Sequence, residues 1–149
     1  MKKLIKLIFV ILWMLLIFSF SNQKAEDSSK LSDGIIVKVA NIFVDKELSI
    51  EKQEEILEKY TTIVRKTAHF VIYLILGILV INLVCEYNVK HLILISLLIC
   101  LLYSISDEFH QLFIVGRSGE IRDILIDTVG SLSGITAYYI LRKKIVKKN

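Results

Sequence analysis

The sequence predicts an all-α integral membrane bundle of about four transmembrane helices, with an amphipathic helical loop between the first and second spans. Three observations predict it. Hydrophobic residues make up 54% of the chain, and a mean hydropathy of +0.61 is too apolar for an ordinary soluble domain. The apolar residues gather into four runs, Leu4 to Phe20, Ala68 to Cys85, Leu92 to Tyr103 and Ile124 to Leu141, each followed or preceded by polar sequence. Lysine and arginine cluster at the two ends, which is the charge bias that orients membrane helices.

The first run follows Lys2, Lys3 and Lys6, the arrangement of a signal peptide, but Ser21-Asn22-Gln23 offers no small-x-small cleavage site. An uncleaved anchor over roughly 4–21 is expected. The second run, roughly 68–85, is interrupted between Phe70 and Val84 only by Tyr73, Gly77 and Asn82, and at 1.5 Å per residue it reaches about 27 Å, close to the hydrocarbon thickness. The third is strictly apolar for only about a dozen residues, short for a span. Extending it through Ser104, Ile105 and Ser106 gives a span of roughly 91–106 that stops at Asp107 and Glu108. The fourth covers roughly 124–141 and is followed by Arg142, Lys143, Lys144, Lys147 and Lys148.

Between the first two spans, Ile35, Ile36, Val39, Ile42 and Phe43 recur at helical spacing, as do Ile56, Leu57, Tyr60, Ile63 and Val64. Two amphipathic surface helices are expected. Ser49 caps the second, and Glu51, Glu54 and Glu55 suit its N-terminal dipole.

With 149 residues, no proline and 6 glycines, the chain forms one domain over 1–149 without a flexible linker. The net charge of +4 sits at the termini rather than on a basic face, so no nucleic-acid partner is expected. Cys85 and Cys100 have no metal-binding or redox spacing, and both read as small packing residues rather than a disulfide. The basic residues beside the outermost spans place both termini in the cytoplasm, in a multi-pass protein of the cytoplasmic membrane. Arg65 and Lys66 precede the second span on the outer side, against that rule, which suggests a local task for them.

This topology brings the ends of spans one and three and the starts of spans two and four to one face, where the ionisable residues lie. Lys66, His69 and Tyr73 share one helix face. So do Asp107, His110 and Gln111, with Glu108 beside them, and Asp123, Asp127, Gly130 and Gly134. Charges near hydrocarbon cost several kcal/mol unless paired or solvated, so a shared polar pocket is expected from Lys66, His69, Tyr73, Asp107, Glu108, His110, Gln111, Arg117, Asp123 and Asp127. The bland alternative is a set of hydrogen bonds and ion pairs that only closes the bundle. Gly130 and Gly134 form a small-xxx-small pair suited to close helix approach, within the chain or in a homo-oligomer.

The segment Asp107-Glu108-Phe109-His110-Gln111, followed by Gly116-Arg117, Asp123 and the Gly130/Gly134 pair, resembles the signature of the VanZ-like family of bacterial membrane proteins. Phe20-Ser21-Asn22-Gln23 and Lys66-Thr67-Ala68-His69-Phe70, leading through Tyr73 to Leu76-Gly77, are similar too. The resemblance spans essentially the whole chain. Val115 departs from the proline usual before the Gly-Arg pair, and Asp127 stands where the family often has asparagine. The resemblance implies an envelope protein linked to glycopeptide resistance of the teicoplanin type, and it carries over no catalytic residues.

The pattern favours a binding protein over an enzyme: a polar outer-face pocket taking a lipophilic glycopeptide or a lipid-linked cell-wall precursor, among membrane lipids. The alternative is a membrane-embedded enzyme acting on an envelope lipid or cell-wall precursor, with His69 or His110 as general base and Arg117 or Arg122 holding an anionic substrate. Metal ligation by His69, His110, Asp107, Glu108 and Asp123 would suit zinc or manganese by ligand type, but no HExxH-like spacing supports it. No metal or cofactor is therefore expected. Four spans without broken helices or a visible repeat argue against a transporter.

Overall fold

The computed structural model describes residues 1–23, 32–38, 50–87, 89–117 and 119–148. Among them the chain is helical throughout, with α1 at Lys2–Ser21, α2 at 32–38, α3 at Ile50–Val84, α4 at Leu92–Gln111 and α5 at Ile121–Lys148. Four helices carry segments long and apolar enough to cross a membrane: Lys2–Ser21, Tyr60–Val84, Leu92–Gln111 and Ile121–Ile145.

Two expectations change. The second amphipathic helix is not a separate element, because Ile56 to Val64 runs without a break into the second span as the 35-residue α3. Nothing between Ile50 and Gly77 interrupts helix propagation, as there is neither glycine nor proline in that stretch. A helix of that length reaches about 52 Å, well past a 30 Å hydrocarbon core, so its first turns extend beyond the bilayer. The third span does not stop at the acidic pair either; α4 continues to Gln111, since Asp107, Glu108 and Gln111 all lie on its buried face. Of the first amphipathic segment, Ile35 and Ile36 fall in α2, with Ile36 buried and Ile35 exposed. Val39, Ile42, Phe43 and Ser49 lie outside the described residues, as do the side chains of Glu51, Glu54 and Glu55.

Each spanning helix buries one stripe. On α4 the stripe is Ser96, Cys100, Ser104, Asp107, Glu108 and Gln111, and on α5 it includes Asp123, Asp127, Gly130, Ser131, Gly134 and Ile135, both at the three- and four-residue spacing of one helix face. These stripes are small or polar, while the large apolar side chains of α1, α4 and α5 face outward. That inversion suits lipid, where burying apolar surface between helices gains little and close backbone approach with interhelical hydrogen bonds holds the bundle.

The closest pairing is α3 against α5. A methyl group at Gly77 would lie 2.3 Å from the Ser131 carbonyl oxygen, one at Gly130 would lie 2.5 Å from that of Phe70, and one at Gly134 would lie 2.0 Å from that of Leu74. The Gly130/Gly134 spacing is thus accounted for within one chain. Tyr73, Leu76, Val80, Ile81 and Ile135 fill the seam. Outer contacts fasten the rest: Trp13 Nε1 donates to the Ile72 carbonyl at 3.0 Å, Tyr103 OH to the Met14 carbonyl at 2.6 Å, and Tyr138 OH to Asn82 Oδ1 at 2.8 Å. At the end of the bundle holding the α3–α4 turn, Lys6 pairs with Glu86 and Lys3 lies over the Tyr87 ring. Lys6 holds the Glu86 carboxyl below its ordinary pKa.

Candidate functional site

The opposite end of the bundle collects the polar residues. Arg117, in the α4–α5 turn, donates through Nη2 to the Phe20 carbonyl at the end of α1 (3.2 Å) and through Nη1 to Gln111 Oε1 at the end of α4 (3.2 Å). Arg65 of α3 approaches Glu120, just before α5, at 4.0 Å. Gly116 precedes Arg117 with φ 78°, a conformation that glycine adopts without the Cβ clash other residues suffer, and the turn it makes sends Arg117 back over α4.

The deepest element is a link between α3, α4 and α5. Asp127 is fully buried. Its Oδ1 lies 3.2 Å from His69 Nδ1, and its Oδ2 accepts the Ser104 hydroxyl at 2.7 Å. The interaction with Asp127 turns the His69 ring so that Nδ1 faces the carboxylate. On α4, Gln111 Nε2 donates to Glu108 Oε1 at 3.1 Å, and the other Glu108 oxygen accepts the Glu120 backbone N–H at 2.9 Å. Asp107 Oδ2 lies 3.5 Å from both Tyr73 OH and Gln111 Nε2, so two weak donors hold it in place of one cation.

The structure therefore brings together His69, Tyr73, Asp107, Glu108, Gln111, Arg117, Asp123 and Asp127. It leaves two of the expected residues aside. Lys66 is half-buried but reaches no carboxylate of the cluster among the described residues. His110 turns toward α1, its ring 4.6 Å from that of Phe18, because the 100° step per residue carries position 110 off the 104-107-108-111 face. Arg122, offered with Arg117 as an anion-holding residue, is exposed. Sequence reasoning omitted Ser104 and Glu120 from the site. Ser104 stands three residues before Asp107 and four before Glu108, a helical spacing that would have placed it on the same face, whereas the Glu120 backbone contact depends on the path of the turn and has no sequence signal.

Of the cavities at this end, two reach the arginines. One of about 240 Å³ runs from α1 to α3, with mainly apolar walls that include Ile17, Phe20, Val64 and Ile72, and its polar residues include Arg65, His69, Asp107 and Arg117. The other, about 40 Å³, is lined by Arg65, His69, Gln111, Gly116, Arg117 and Asp123. Burial and the neighbouring Arg65 guanidinium lower the pKa of Arg117, against the pull of Asp107, Glu108 and Asp123. The cost of bringing two guanidiniums together in a half-buried place is one that an anion between them would relieve.

The His69, Glu108 and Asp127 ligand atoms approach one another within 4.8 Å, a different set from the five residues considered for a metal from the sequence. His110 is not part of it.

No curated protein and no solved structure matches the chain. A family model, VanZ/LLP1, matches residues 6–142, from the first turns of α1 to the last turns of α5 and so across every residue of the cluster. The chain, a membrane protein of four apolar spanning helices, belongs to the VanZ/LLP1 family.

Proposed function

We propose that this protein is an envelope protein of the cytoplasmic membrane that binds the polar end of an anionic amphiphile, a lipid-linked cell-wall precursor or a lipophilic glycopeptide of the teicoplanin type. This reading ties it to glycopeptide resistance. The observation that carries it is the α1–α3 cavity, whose apolar walls end at Arg65, His69 and Arg117. Apolar walls accept the first part of a hydrocarbon tail, and two guanidiniums at the end suit a phosphate or carboxylate. At about 240 Å³ the cavity is smaller than a pocket that encloses a whole drug-sized ligand. It fits the junction of head and tail, with the tail continuing into lipid and the bulk of the head outside.

The basic residues flanking α1 and α5 support an orientation with both termini in the cytoplasm and the cavity on the exterior side, where such molecules are exposed. Binding is tested with the purified chain in nanodiscs, titrated separately with labelled teicoplanin, with the same glycopeptide lacking its acyl chain, and with a short polyprenyl diphosphate. Hydrogen bonds to charged groups contribute about 1.5–3 kcal/mol each, so Arg65→Gln with Arg117→Gln weakens binding at least about tenfold, and loss of the acyl chain does the same. Failure of both amphiphiles to bind, or equal affinity in the double variant, refutes the reading.

A second reading has one observation in its favour. The His69–Asp127 arrangement is the orienting pair of a general base, which supports catalysis on the same class of lipid. Ser104 donates to Asp127 and not to His69, so a serine nucleophile is not set up, and water would be the group that His69 activates. Turnover of the polyprenyl diphosphate that disappears in His69→Gln would favour this reading over binding alone.

A further inference from the structure

We infer that His69, Glu108 and Asp127 form a binding site for one divalent transition-metal cation, seated where α3, α4 and α5 meet. Each helix contributes one ligand: an imidazole nitrogen and two carboxylate oxygens whose positions lie within 4.8 Å of one another. Adjacent ligands of a first-row cation stand about 3–3.5 Å apart at bond lengths near 2.1 Å, so the side chains close the set by moving inward by about an ångström.

Three further features distinguish this group from an incidental cluster of charges. First, both carboxylates are already oriented by groups outside the set. Ser104 holds Asp127 Oδ2 at 2.7 Å, while Gln111 and the Glu120 N–H hold the two oxygens of Glu108 at 3.1 and 2.9 Å. Metal-ligating carboxylates are held this way, and the outer hydrogen bonds aim the remaining lone pairs inward. Second, Asp123 is 4% exposed, its Oδ1 is buried without a hydrogen-bond partner, and it lines the 40 Å³ cavity, which meets the ligand set at His69 and is bordered by Arg65 and Arg117. That volume holds one or two waters, which would complete the coordination shell while donating to the unpartnered Asp123 oxygen. Third, the charges are unbalanced. Asp107, Glu108, Asp123 and Asp127 are all buried, while of the two nearby guanidiniums Arg65 already approaches Glu120 at 4.0 Å, so carboxylates outnumber the cations beside them and a dication narrows the difference. Removing charge from water is costly unless a counter-charge is present.

One nitrogen and two carboxylate ligands suit Mn²⁺, Fe²⁺ or Zn²⁺ rather than Ca²⁺ or Mg²⁺, which prefer oxygen alone. The cation takes the place of the ring proton between His69 Nδ1 and Asp127. This inference does not require the larger cavity to be occupied, although His69 lines that cavity too.

The test is a titration of the full chain in nanodiscs with Mn²⁺, following free Mn²⁺ by electron paramagnetic resonance, with Zn²⁺ as competitor. One saturable site per chain is expected, displaced by Zn²⁺. Glu108→Gln and His69→Gln each weaken it by about tenfold or more, as loss of a direct ligand costs at least as much as loss of an outer-sphere group, and Lys66→Gln leaves it unchanged. A second measurement needs no variant. In the wild-type chain Mn²⁺ broadens the ring resonances of His69 and spares those of His91, which lies at the other end of α4. Absence of saturable Mn²⁺ or Zn²⁺ binding by the wild type, unchanged affinity in both variants, or equal broadening of His69 and His91 overturns the proposal. If Glu108→Gln does not fold, the broadening experiment decides alone.

Discussion

Gly134→Ala is the most direct test of what holds the bundle together. A Cβ at residue 134 would sit 2.0 Å from the Leu74 carbonyl oxygen, where ordinary contact begins at 3.4 Å. The obstacle is backbone, so no rotamer relieves it, and α5 must withdraw from α3 by more than an ångström. The same movement stretches two of the hydrogen bonds along this seam, His69 to Asp127 at 3.2 Å and Ser131 to the Tyr73 carbonyl at 3.3 Å, past useful length. Overpacking costs about 1–3 kcal/mol, and each interhelical hydrogen bond in lipid contributes about 0.6 kcal/mol. Alanine returns up to about 1 kcal/mol through helix propensity, leaving a net loss of about 1–3 kcal/mol. Gly34→Ala is the matched control, because a Cβ there meets nothing within 4 Å, and it is expected to be neutral or slightly stabilising. Reversible unfolding in bicelles measures both. If Gly134→Ala proves as harmless as Gly34→Ala, the close α3–α5 approach is not what stabilises the fold.

Three further outcomes are expected. Gly116→Ala, at φ 78°, lowers stability by about 1–2 kcal/mol, the cost of a left-handed non-glycine residue, as measured by the same unfolding assay. Because Lys6 lowers the Glu86 pKa from an ordinary value near 4.5, that pair stabilises the protein above about that pH and loses its effect as pH falls through the lowered folded value. Lys6→Gln should therefore unfold more readily than wild type at pH 7 and converge with it in acid, and a stability difference that persists at low pH would contradict the pairing. In a background lacking Cys85 and Cys100, Phe113→Cys reacts with an impermeant maleimide added to intact cells and Tyr87→Cys only after permeabilisation. Labelling of both from one side would contradict the bundle, and the reverse pattern would invert the orientation.

Which parts of this arrangement were legible in the sequence follows from the period of each signal. The spans declare themselves through apolar runs, and the convergence of Phe20-Ser21, His69, Asp107 and Asp123 on one end follows from counting crossings. Helical spacing also foretells the Asp127 register with Gly130 and Gly134. The length of α3 does not show in this way, because the switch near Ala68 from an amphipathic to a mainly apolar pattern looks the same whether the chain bends or runs straight. Nor does the direction of His110. Positions 107 and 110 are neighbours on a helix, but the interior of α4 is a narrow stripe centred on Ser104, Asp107, Glu108 and Gln111, and a ring at its margin fits better against Phe18 than among carboxylates. Contacts that run through backbone, such as Glu108 with the Glu120 N–H and Arg117 with the Phe20 carbonyl, leave no trace in side-chain spacing.

The placement of the glycines and that of the carboxylates belong to one design. A buried ion pair usually fails to repay its desolvation, and in hydrocarbon the penalty is greater. A bundle needing only cohesion would use Gly77, Gly130 and Gly134 and fill the remaining stripe with small apolar residues. Here the glycine seam instead continues within one turn into Asp127, so the closest helix pair in the molecule is also what presses His69 against its carboxylate. Tyr103 and Trp13 fasten α1 by bonds to backbone carbonyls and need no charge, which shows that this chain has neutral means of joining helices. Gathering buried carboxylates at one end, beside the cavities that Arg65 and Arg117 line, and backing them with the closest helix approach, is costly as a way to hold helices together and economical as a way to hold ionisable groups in fixed positions for a ligand.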